Sequence, residues 1–206
     1  MYSFEYRKAH SVADAAAALA ADSEAKLLAG GQTLTASLKL RLNAPSLLID
    51  LGGLAELRGI TLDRDKISIG AMTRHAEVAA SQEVRQAIPA LANLAGGIGD
   101  RMVRNMGTIG GSVANNDPAA DYPAGLLGLG ATVVTNQREI GADDFFRGMY
   151  ETALEPGEII TRIDFPISRR AAYIKFKSQA SRFAIVGVFV ADMHDGVRVA
   201  VTGAGT

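Results

Sequence analysis

The sequence predicts an α+β fold, in which helices and short strands are interleaved along 206 residues. Apolar residues recur at helical spacing in residues 12–21, 83–98 and 121–130, and strand-like runs predict antiparallel hairpins at 60–69 and 183–202. Apolar residues make up 48% of the chain and charged residues 21%, which is ordinary globular composition. A chain of this length can bury a substantial core, as one large domain or as two small ones.

Composition and charge argue against several classes of protein. The net charge is −1, with acids and bases interspersed, so the sequence does not indicate a nucleic-acid-binding surface. No apolar run is long enough to cross a bilayer, and the N-terminus lacks the pattern of a signal peptide, so we expect no transmembrane segment and a cytoplasmic location.

The absence of cysteine restricts the possible redox chemistry. It excludes disulfides, thiolate nucleophiles, flavin attachment through sulfur and iron–sulfur clusters held by this chain. The three histidines, His10, His75 and His194, are far apart and show no metal-ligand spacing. Any redox chemistry would therefore need a bound organic cofactor.

A strand, two glycines and a helix follow one another in the N-terminal region. After a helix at 12–21 that begins with a capping box at Ser11, a short strand at 26–29 leads to Gly30-Gly31. The next helix begins near Thr33, which can cap it. The first N–H groups of a helix have no internal partner, so two glycines there let a diphosphate come close. The alternative is an ordinary strand-to-helix turn.

The middle of the chain carries helices without a clear ligand signal. Thr73 is predicted to cap a short helix, and His75, in its first turn, is predicted to lie on the surface. One helix is predicted over 83–98. Arg101 and Arg104 are three residues apart; solvated charge is the favoured interpretation, and support of a ligand phosphate or a partner surface is the alternative.

The stretch from Gly107 to Asp121 combines three glycines with two hydroxyls, two amides and two carboxylates. It has no long apolar run, so we predict neither a core strand nor a core helix there. Glycines let backbone N–H groups approach a ligand, and the polar side chains can bond phosphate, ribose or ring edges. A long surface loop explains the stretch equally well when it is taken alone. Asp117 and Asp121 are interpreted as ligand-binding and capping residues rather than as a catalytic pair.

The C-terminal part is predicted to be rich in strands. A helix that starts near Asp121 and Pro123 is followed by strands, and a polar joint at 168–171 suggests a domain boundary. The strands are predicted at 131–135, near 140, and at 158–166, 173–177, 183–191 and 197–202. Because the last three have no covering layer in sequence, we expect the native protein to continue or this piece to pack on something else.

The two glycine stretches together resemble those of the FAD-binding medium subunit of molybdenum hydroxylases, the family of carbon monoxide dehydrogenase, xanthine dehydrogenase and aldehyde oxidase. The resemblance covers essentially the whole chain. It is carried by Ala29–Leu34, Val103–Gly107, Thr108–Ser112, Asp117–Pro123, Phe145–Phe146 and Pro156–Ile160.

This resemblance implies a two-lobed α+β FAD-binding domain of the vanillyl-alcohol-oxidase/xanthine-dehydrogenase (PCMH) type over residues 1–171, with lobes of about 1–55 and 56–171. Residues 172–206 would be the first strands of an incomplete carbon monoxide dehydrogenase flavoprotein C-terminal domain. This truncation is the main departure from the family.

The resemblance also implies which residues hold FAD. The two backbone stretches would bind the diphosphate, Asp121 the ribose or adenylate part and Ile160 the adenine, while Lys177 and Phe183 would lie near the ligand. Ser112 stands where relatives often have Asn. The implied FAD-binding residues are Ala29, Gly30, Gly31, Gln32, Thr33, Leu34, Thr108, Ile109, Gly110, Gly111, Ser112, Asp121, Ile160 and Lys177; no catalytic or metal-ligating residue is implied.

Finally, the resemblance implies electron transfer within a complex. Electrons would pass from a large molybdenum–pterin subunit, through [2Fe–2S] clusters of a small iron–sulfur subunit, to FAD on this chain and then to quinone, NAD or oxygen. The assembly would be a dimerised heterotrimer. Two alternatives stay open: a self-contained FAD oxidase or reductase on the same scaffold, and a non-enzymatic nucleotide-binding module.

Overall fold

The computed structural model describes residues 1–205 and confirms a mixed architecture of helices and sheets. The helices are α1 (Val12–Ala21), α2 (Leu34–Lys39), α3 (His75–Ala80), α4 (Gln82–Ala87), α5 (Pro89–Gly96), α6 (Arg101–Met106), α7 (Ile109–Asn115), α8 (Asp121–Leu129) and α9 (Ala142–Phe145). The strands are β1 (Glu5–Lys8), β2 (Lys26–Leu28), β3 (Leu47–Asp50), β4 (Ile60–Leu62), β5 (Lys66–Gly70), β6 (Thr132–Thr135), β7 (Glu139–Gly141), β8 (Phe146–Gly148), β9 (Glu151–Thr152), β10 (Ile160–Pro166), β11 (Arg170–Lys177), β12 (Ala184–Asp192) and β13 (Val197–Thr202).

The N-terminal region forms a small parallel sheet in the order β1-β3-β2. Helix α1 begins where predicted, because the Ser11 hydroxyl accepts a hydrogen bond from the N–H of Asp14 at 3.0 Å. The Asp14 carboxylate accepts from the His10 N–H instead of returning to Ser11. Ala15 of α1 and Ile49 of β3 are fully buried in a hydrophobic cluster that also contains Met72 and Ile159.

A second sheet is antiparallel, in the order β4-β5-β10-β6-β7. The hairpin predicted at 60–69 is its β4–β5 pair. Its central strand, β10, carries Ile163 and Phe165 into a larger hydrophobic cluster, to which helices α3, α5, α7 and α8 also contribute buried side chains. The core of the molecule therefore consists of two clusters, one on each side of the segment that contains Ala71 and Met72.

A third sheet, β11-β12-β13, is antiparallel and confirms the predicted C-terminal hairpin. The expectation that it lacks a covering layer is wrong for one face, since α8 packs on β12 and β13, and α5 on β11. Phe189 is fully buried there, so close to the helix that a Cβ at Gly128 would lie 2.6 Å from its ring. The opposite face exposes an apolar surface formed by Ile174, Phe176, Val197, Val199 and Val201.

The structure corrects three local predictions. The stretch after Gly107, predicted to hold no core helix, contains helix α7, whose Ile109, Gly110 and Val113 are buried. The helix predicted over 83–98 is two helices: α4 ends at Ala87 and α5 starts at Pro89, since a residue before proline avoids helical backbone angles. Thr73 does not cap α3, because its hydroxyl bonds the backbone of Gly59 instead.

Within residues 1–205, no helix combines the length and the hydropathy that a membrane span requires.

Candidate functional site

A cavity of about 880 Å³ lies between the two hydrophobic clusters, near the upper end of the usual volumes of small-molecule sites. Its walls include Met72 and Ile159 from the smaller cluster and Ala71 and Ile160 from the larger one. Both glycine stretches line it, together with the connection from β11 to β12 at Phe183. We call the stretches Ala29–Leu34 and Gly107–Ser112 the first and the second glycine loop.

The first glycine loop leaves a run of backbone donors free. Gly31 has a φ of +70°, a backbone conformation that residues other than glycine rarely adopt. Within residues 1–205, no acceptor bonds the N–H groups from Gly30 to Thr33. The Thr33 side chain, which we expected to cap α2, makes no capping hydrogen bond. Four consecutive N–H groups therefore border the cavity with no internal partner.

The second glycine loop differs, because most of its N–H groups donate within the protein. It pairs with residues 71–75: Ile109 N–H donates to the Thr73 carbonyl at 3.0 Å, and Gly110 N–H to the Ala71 carbonyl at 2.8 Å. The N–H groups of Gly111 and Ser112 donate to Thr108, to its hydroxyl at 3.2 Å and its carbonyl at 3.1 Å. This loop presents hydroxyl oxygens and a tightly packed backbone to the cavity.

The two loops touch through glycine backbone. A Cβ at Gly30 would lie 2.7 Å from the Gly107 Cα, and a Cβ at Gly110 would lie 2.6 Å from the Ala71 Cβ. Side chains at these positions would force the loops apart. The glycines therefore serve to bring three backbone segments together at the cavity wall, and the pairing of residues 71–75 has no signal of its own in the sequence.

His75 lines the cavity and is 4% exposed, so the prediction of a surface histidine is wrong. Burial, and to a lesser degree the nearby positive charge of Arg104, lower the pKa of His75 to about 4. The imidazole is neutral at neutral pH. Its position in the first turn of α3 is typical of exposure, but the second glycine loop covers it, with the His75 N–H bonded to the Gly107 carbonyl at 3.0 Å.

Arg104 and Arg101 have different environments in the structure. Arg101 is exposed, whereas the Arg104 guanidinium donates to the carbonyls of Ile98 and Gly99 at 3.0 and 3.1 Å. Arg104 thus closes the turn that precedes α6, which differs from both predicted roles, solvated charge and support of a ligand phosphate or a partner surface.

Asp121 lies at the start of α8 with its carboxylate bonded on both oxygens. The Tyr173 hydroxyl donates to one oxygen at 2.6 Å, and the Lys175 ammonium lies 2.8 and 3.0 Å from the two. Burial raises the pKa of Asp121, and the bonds from Lys175 and Tyr173 act in the opposite direction. Lys175 also donates to the carbonyls of Gly97 and Arg182, so it joins three segments around the cavity.

Twelve of the fourteen predicted ligand residues line the cavity, and two do not. Ile109 is fully buried in the larger hydrophobic cluster, and Lys177 is exposed. The twelve are Ala29, Gly30, Gly31, Gln32, Thr33, Leu34, Thr108, Gly110, Gly111, Ser112, Asp121 and Ile160. The lysine that the structure brings to Asp121 is Lys175; a β-bulge between Phe176 and Lys177 breaks the alternation that would place both lysines on one face.

Within residues 1–205, no group of three or more His, Asp or Glu side chains is arranged to hold a metal ion. The cavity instead offers free amides, hydroxyls and apolar walls, which suit an organic ligand that carries phosphate.

Comparison with known proteins agrees with this chemistry. Residues 2–168 match the family model described as the FAD binding domain in molybdopterin dehydrogenase. The chain is similar to the glyceraldehyde dehydrogenase medium chain of Sulfolobus acidocaldarius, with 36% identity over 194 residues, 91% of this chain and 69% of that one. It is also similar to the carbon monoxide dehydrogenase medium chain of Hydrogenophaga pseudoflava, with 38% identity over 212 residues, 97% of this chain and 74% of that one.

A solved structure shows the same fold. The carbon monoxide dehydrogenase of Hydrogenophaga pseudoflava that lacks the Mo-pyranopterin moiety of its molybdenum cofactor superimposes with a TM-score of 0.91 and 39% identity, covering 97% of this chain and 74% of that one. This chain belongs to the family of FAD-binding domains of molybdopterin dehydrogenases, which are oxidoreductases.

Proposed function

We propose that this chain is the FAD-binding, electron-transferring subunit of a molybdenum hydroxylase. The observation that carries the proposal is the run of free N–H groups from Gly30 to Thr33 in the wall of the cavity that the second glycine loop also lines. Consecutive amides of this kind bind the oxygens of a diphosphate, and glycines let the diphosphate approach them. The residues present therefore fit FAD.

The two glycine loops would hold the diphosphate in different ways. The first loop would donate hydrogen bonds to the diphosphate from its backbone N–H groups. The second loop would add hydrogen bonds from the hydroxyls of Thr108 and Ser112, and from backbone N–H groups that can bond the ligand and the protein at the same time. Hydroxyls can donate to one ligand oxygen while they accept from the backbone. Ser112 would thus replace the amide side chain that relatives often carry.

The ends of the ligand would meet different walls. Ile160, 5% exposed in the cavity wall, would pack on the adenine. Asp121 would bond the ribose or adenylate part through lone pairs that remain beside its bonds to Tyr173 and Lys175. Lys175, which bonds Asp121, would take the role near the ligand that the resemblance gave to Lys177, and Phe183 of the cavity wall would border the flavin ring.

Bound FAD would supply the redox chemistry, accepting electrons from the [2Fe–2S] clusters of a small iron–sulfur subunit that serves a large molybdenum–pterin subunit and delivering them to quinone, NAD or oxygen. The residues of this chain bind and orient the cofactor, and no catalytic acid or base is required of them. We place the chain in a dimerised heterotrimer in the cytoplasm.

We further propose the two-lobed division of the FAD-binding domain, with lobes of about 1–55 and 56–171 and a C-terminal domain from 172. The two hydrophobic clusters support the lobes. The exposed apolar face of the third sheet supports a further packing layer for the C-terminal domain. Phe189 nevertheless shares the larger cluster with β10, so the boundary at 171 is not a gap in packing.

The proposal is tested by binding of FAD to the chain. The protein purified with its flavin should be yellow, and the stripped protein should recover stoichiometric FAD with a flavin absorption spectrum. Gly31→Val and Gly110→Val should both lose FAD, because φ of +70° and the contact with Ala71 exclude a branched side chain. Gly53→Ala, where a Cβ would meet no atom within 4 Å, is the matched control.

Folding must be checked in the same variants by circular dichroism. Gly31→Ala is the milder second variant, because alanine lacks the γ branches of valine and its Cβ would meet only the movable Thr35 hydroxyl, at 2.8 Å, within 3 Å. A folded wild-type chain that cannot be loaded with FAD, or folded loop variants that retain stoichiometric FAD, would contradict the proposal. Transfer of electrons from a reduced [2Fe–2S] partner to the bound FAD, followed by stopped-flow absorbance, tests the partner assignment.

A further inference from the structure

Two neighbouring aromatic rings each carry a buried polar atom that has no hydrogen-bond partner. Within residues 1–205, neither the Nδ1 of His75 nor the hydroxyl of Tyr122 makes a hydrogen bond, although both are buried. Their ring centroids lie 5.4 Å apart, with the planes tilted by 48°. Buried polar atoms are nearly always paired, so two orphans side by side indicate that they serve each other, directly after a small rotation or through one buried water.

The chemistry of the two groups determines the direction of that bond. Burial raises the pKa of the Tyr122 hydroxyl above its ordinary value, so it keeps its proton and can donate. His75 is neutral, and a neutral imidazole has one donor and one acceptor nitrogen. If Nδ1 accepts from Tyr122, the proton of the ring must lie on Nε2.

The Nε2 edge of the ring faces the junction of the two glycine loops. A Cβ at Gly107 would lie 2.6 Å from Nε2, and a Cβ at Gly30 would lie 2.7 Å from the Gly107 Cα. His75, Gly30 and Gly107 all line the cavity. The imidazole makes no side-chain hydrogen bond to residues 1–205, so an Nε2–H would be a free donor beside the free amides of the first loop.

We propose that Tyr122 holds His75 as the Nε2–H tautomer and that this Nε2–H donates to a diphosphate oxygen of FAD where the two glycine loops meet. The inference rests on the proposed function, since it takes FAD as the ligand. His75 is the residue that contacts the ligand, and Tyr122 is a positioning residue that acts through it. The site thereby gains a fixed donor without a buried positive charge.

The tautomer of His75 is measured by NMR in protein that contains ¹⁵N-labelled histidine, first without ligand and then with FAD. In the free protein we expect a protonated Nε2 and an unprotonated Nδ1 for His75, and Tyr122→Phe should shift the Nδ1 resonance, because the hydrogen bond that Nδ1 accepts is lost. Addition of FAD should shift the Nε2 resonance. His10→Gln and His194→Gln, which alter exposed histidines, assign the signals and should leave the His75 resonances unchanged.

FAD affinity provides the second readout. His75→Leu should weaken FAD binding about tenfold, as expected for the loss of one hydrogen bond. Tyr122→Phe should weaken it about threefold, because the His75 ring keeps its donor but is no longer oriented. His75→Gln places an amide N–H near the Nε2 position and should restore most of the affinity. Such a rescue distinguishes a contact with the ligand from a purely structural role of the ring.

Two results would overturn the inference: an Nδ1–H tautomer in the free protein, or an unmoved Nε2 resonance together with wild-type FAD affinity in folded His75→Leu and Tyr122→Phe. Failure of the proposed function looks different. In that case the folded wild-type chain would bind no FAD at all, which removes the ligand contact, while the tautomer measured without FAD still reports on the Tyr122–His75 bond.

Discussion

The ammonium group of Lys175 lies 2.8 Å from a carboxylate oxygen of Asp121, and the two side chains are only 7% and 4% exposed. This buried ion pair connects β11 of the third sheet with the first residue of α8. Tyr173, two residues before Lys175 on the same face of β11, donates to the same carboxylate. The third sheet is thus bonded to the cavity wall through polar groups as well as packed on α8 through Phe189.

Lys175→Met should therefore destabilise the protein. Removing the ammonium leaves the Asp121 carboxylate buried with only Tyr173 as a side-chain partner, and breaking a buried pair in this way costs about 3 kcal/mol. Urea unfolding at pH 7, with and without the substitution, measures the change in the free energy of unfolding.

Lys177→Met is the matched control, because Lys177 is exposed two residues along the same strand. It should change the free energy of unfolding by less than about 0.5 kcal/mol. The pH dependence gives a further check. In Lys175→Met the folded protein should favour the protonated Asp121 carboxyl, whose pKa burial already raises, so the deficit should shrink as the pH falls. Equal effects of the two lysine substitutions would contradict the assignment.

Local signals in the sequence were sufficient for most elements of the fold. Ser11 begins α1, Gly130 ends α8 in a left-handed conformation and the alternating residues of 60–69 form a hairpin, because each depends on residues close in sequence. Helix α7 could not be predicted in this way. Its apolar face is short, and it becomes a core helix only because Gly110 lets it lie against Ala71.

As with the fold, the local motifs of the candidate site could be predicted from the sequence, whereas its long-range contacts could not. The glycine loops are local motifs, and both line the cavity. The burial of His75 and the choice of Lys175 over Lys177 depend on long-range packing and on a β-bulge, neither of which has a sequence pattern. Which N–H groups of the second glycine loop remain free depends on the carbonyls of Thr73 and Ala71, which accept hydrogen bonds from Ile109 and Gly110, 36 and 39 residues further along the chain.

Gly128→Ala tests how tightly the third sheet packs on α8. The added Cβ would lie 2.6 Å from the ring of Phe189, which is fully buried and has little room to move. Overpacking of this kind costs about 1–3 kcal/mol, which outweighs the roughly 1 kcal/mol that alanine gains over glycine within a helix. We expect a net loss of stability of about 1 kcal/mol, measured as a lower midpoint of thermal or urea unfolding.

The control for this substitution is Gly141→Ala, where a Cβ would meet no atom within 4 Å and φ is −62°. That variant should unfold like the wild type. In a Phe189→Leu background, Gly128→Ala should cost less than it does in the wild type, because the smaller side chain relieves the contact. A stabilised Gly128→Ala protein would show that the third sheet is held less tightly than its contacts indicate.

Glu158 supports the cavity wall immediately before Ile159 and Ile160. Its carboxylate accepts from the Thr135 hydroxyl at 2.8 Å, from the Arg138 guanidinium at 2.9 and 3.0 Å, and from the Glu155 N–H at 2.8 Å. The bond from Arg138 is the largest cause that lowers the pKa of Glu158, from an ordinary value of 4.5 to about 2.

A carboxyl group whose pKa is lowered by folding stabilises the protein above its unfolded pKa, and that stability disappears as the pH falls through the folded value. For Glu158 the window runs from about pH 4.5 down to about pH 2. The full shift corresponds to about 3 kcal/mol; because Arg138 is partly exposed to solvent, we expect about 2 kcal/mol. Glu158→Gln should lose this amount at pH 7 and should match the wild type near pH 2.

Urea unfolding across this pH range measures the two profiles. Glu155→Gln is the matched control, since Glu155 pairs with the same guanidinium at 3.2 Å but its side chain is 63% exposed. An exposed pair contributes little, so this variant should follow the wild-type profile within about 0.5 kcal/mol. If the stability difference between the wild type and Glu158→Gln stayed constant between pH 4.5 and pH 2, Glu158 would not be the carboxylate that accounts for this window, and the turn before Ile159 would owe its stability to its backbone bonds alone.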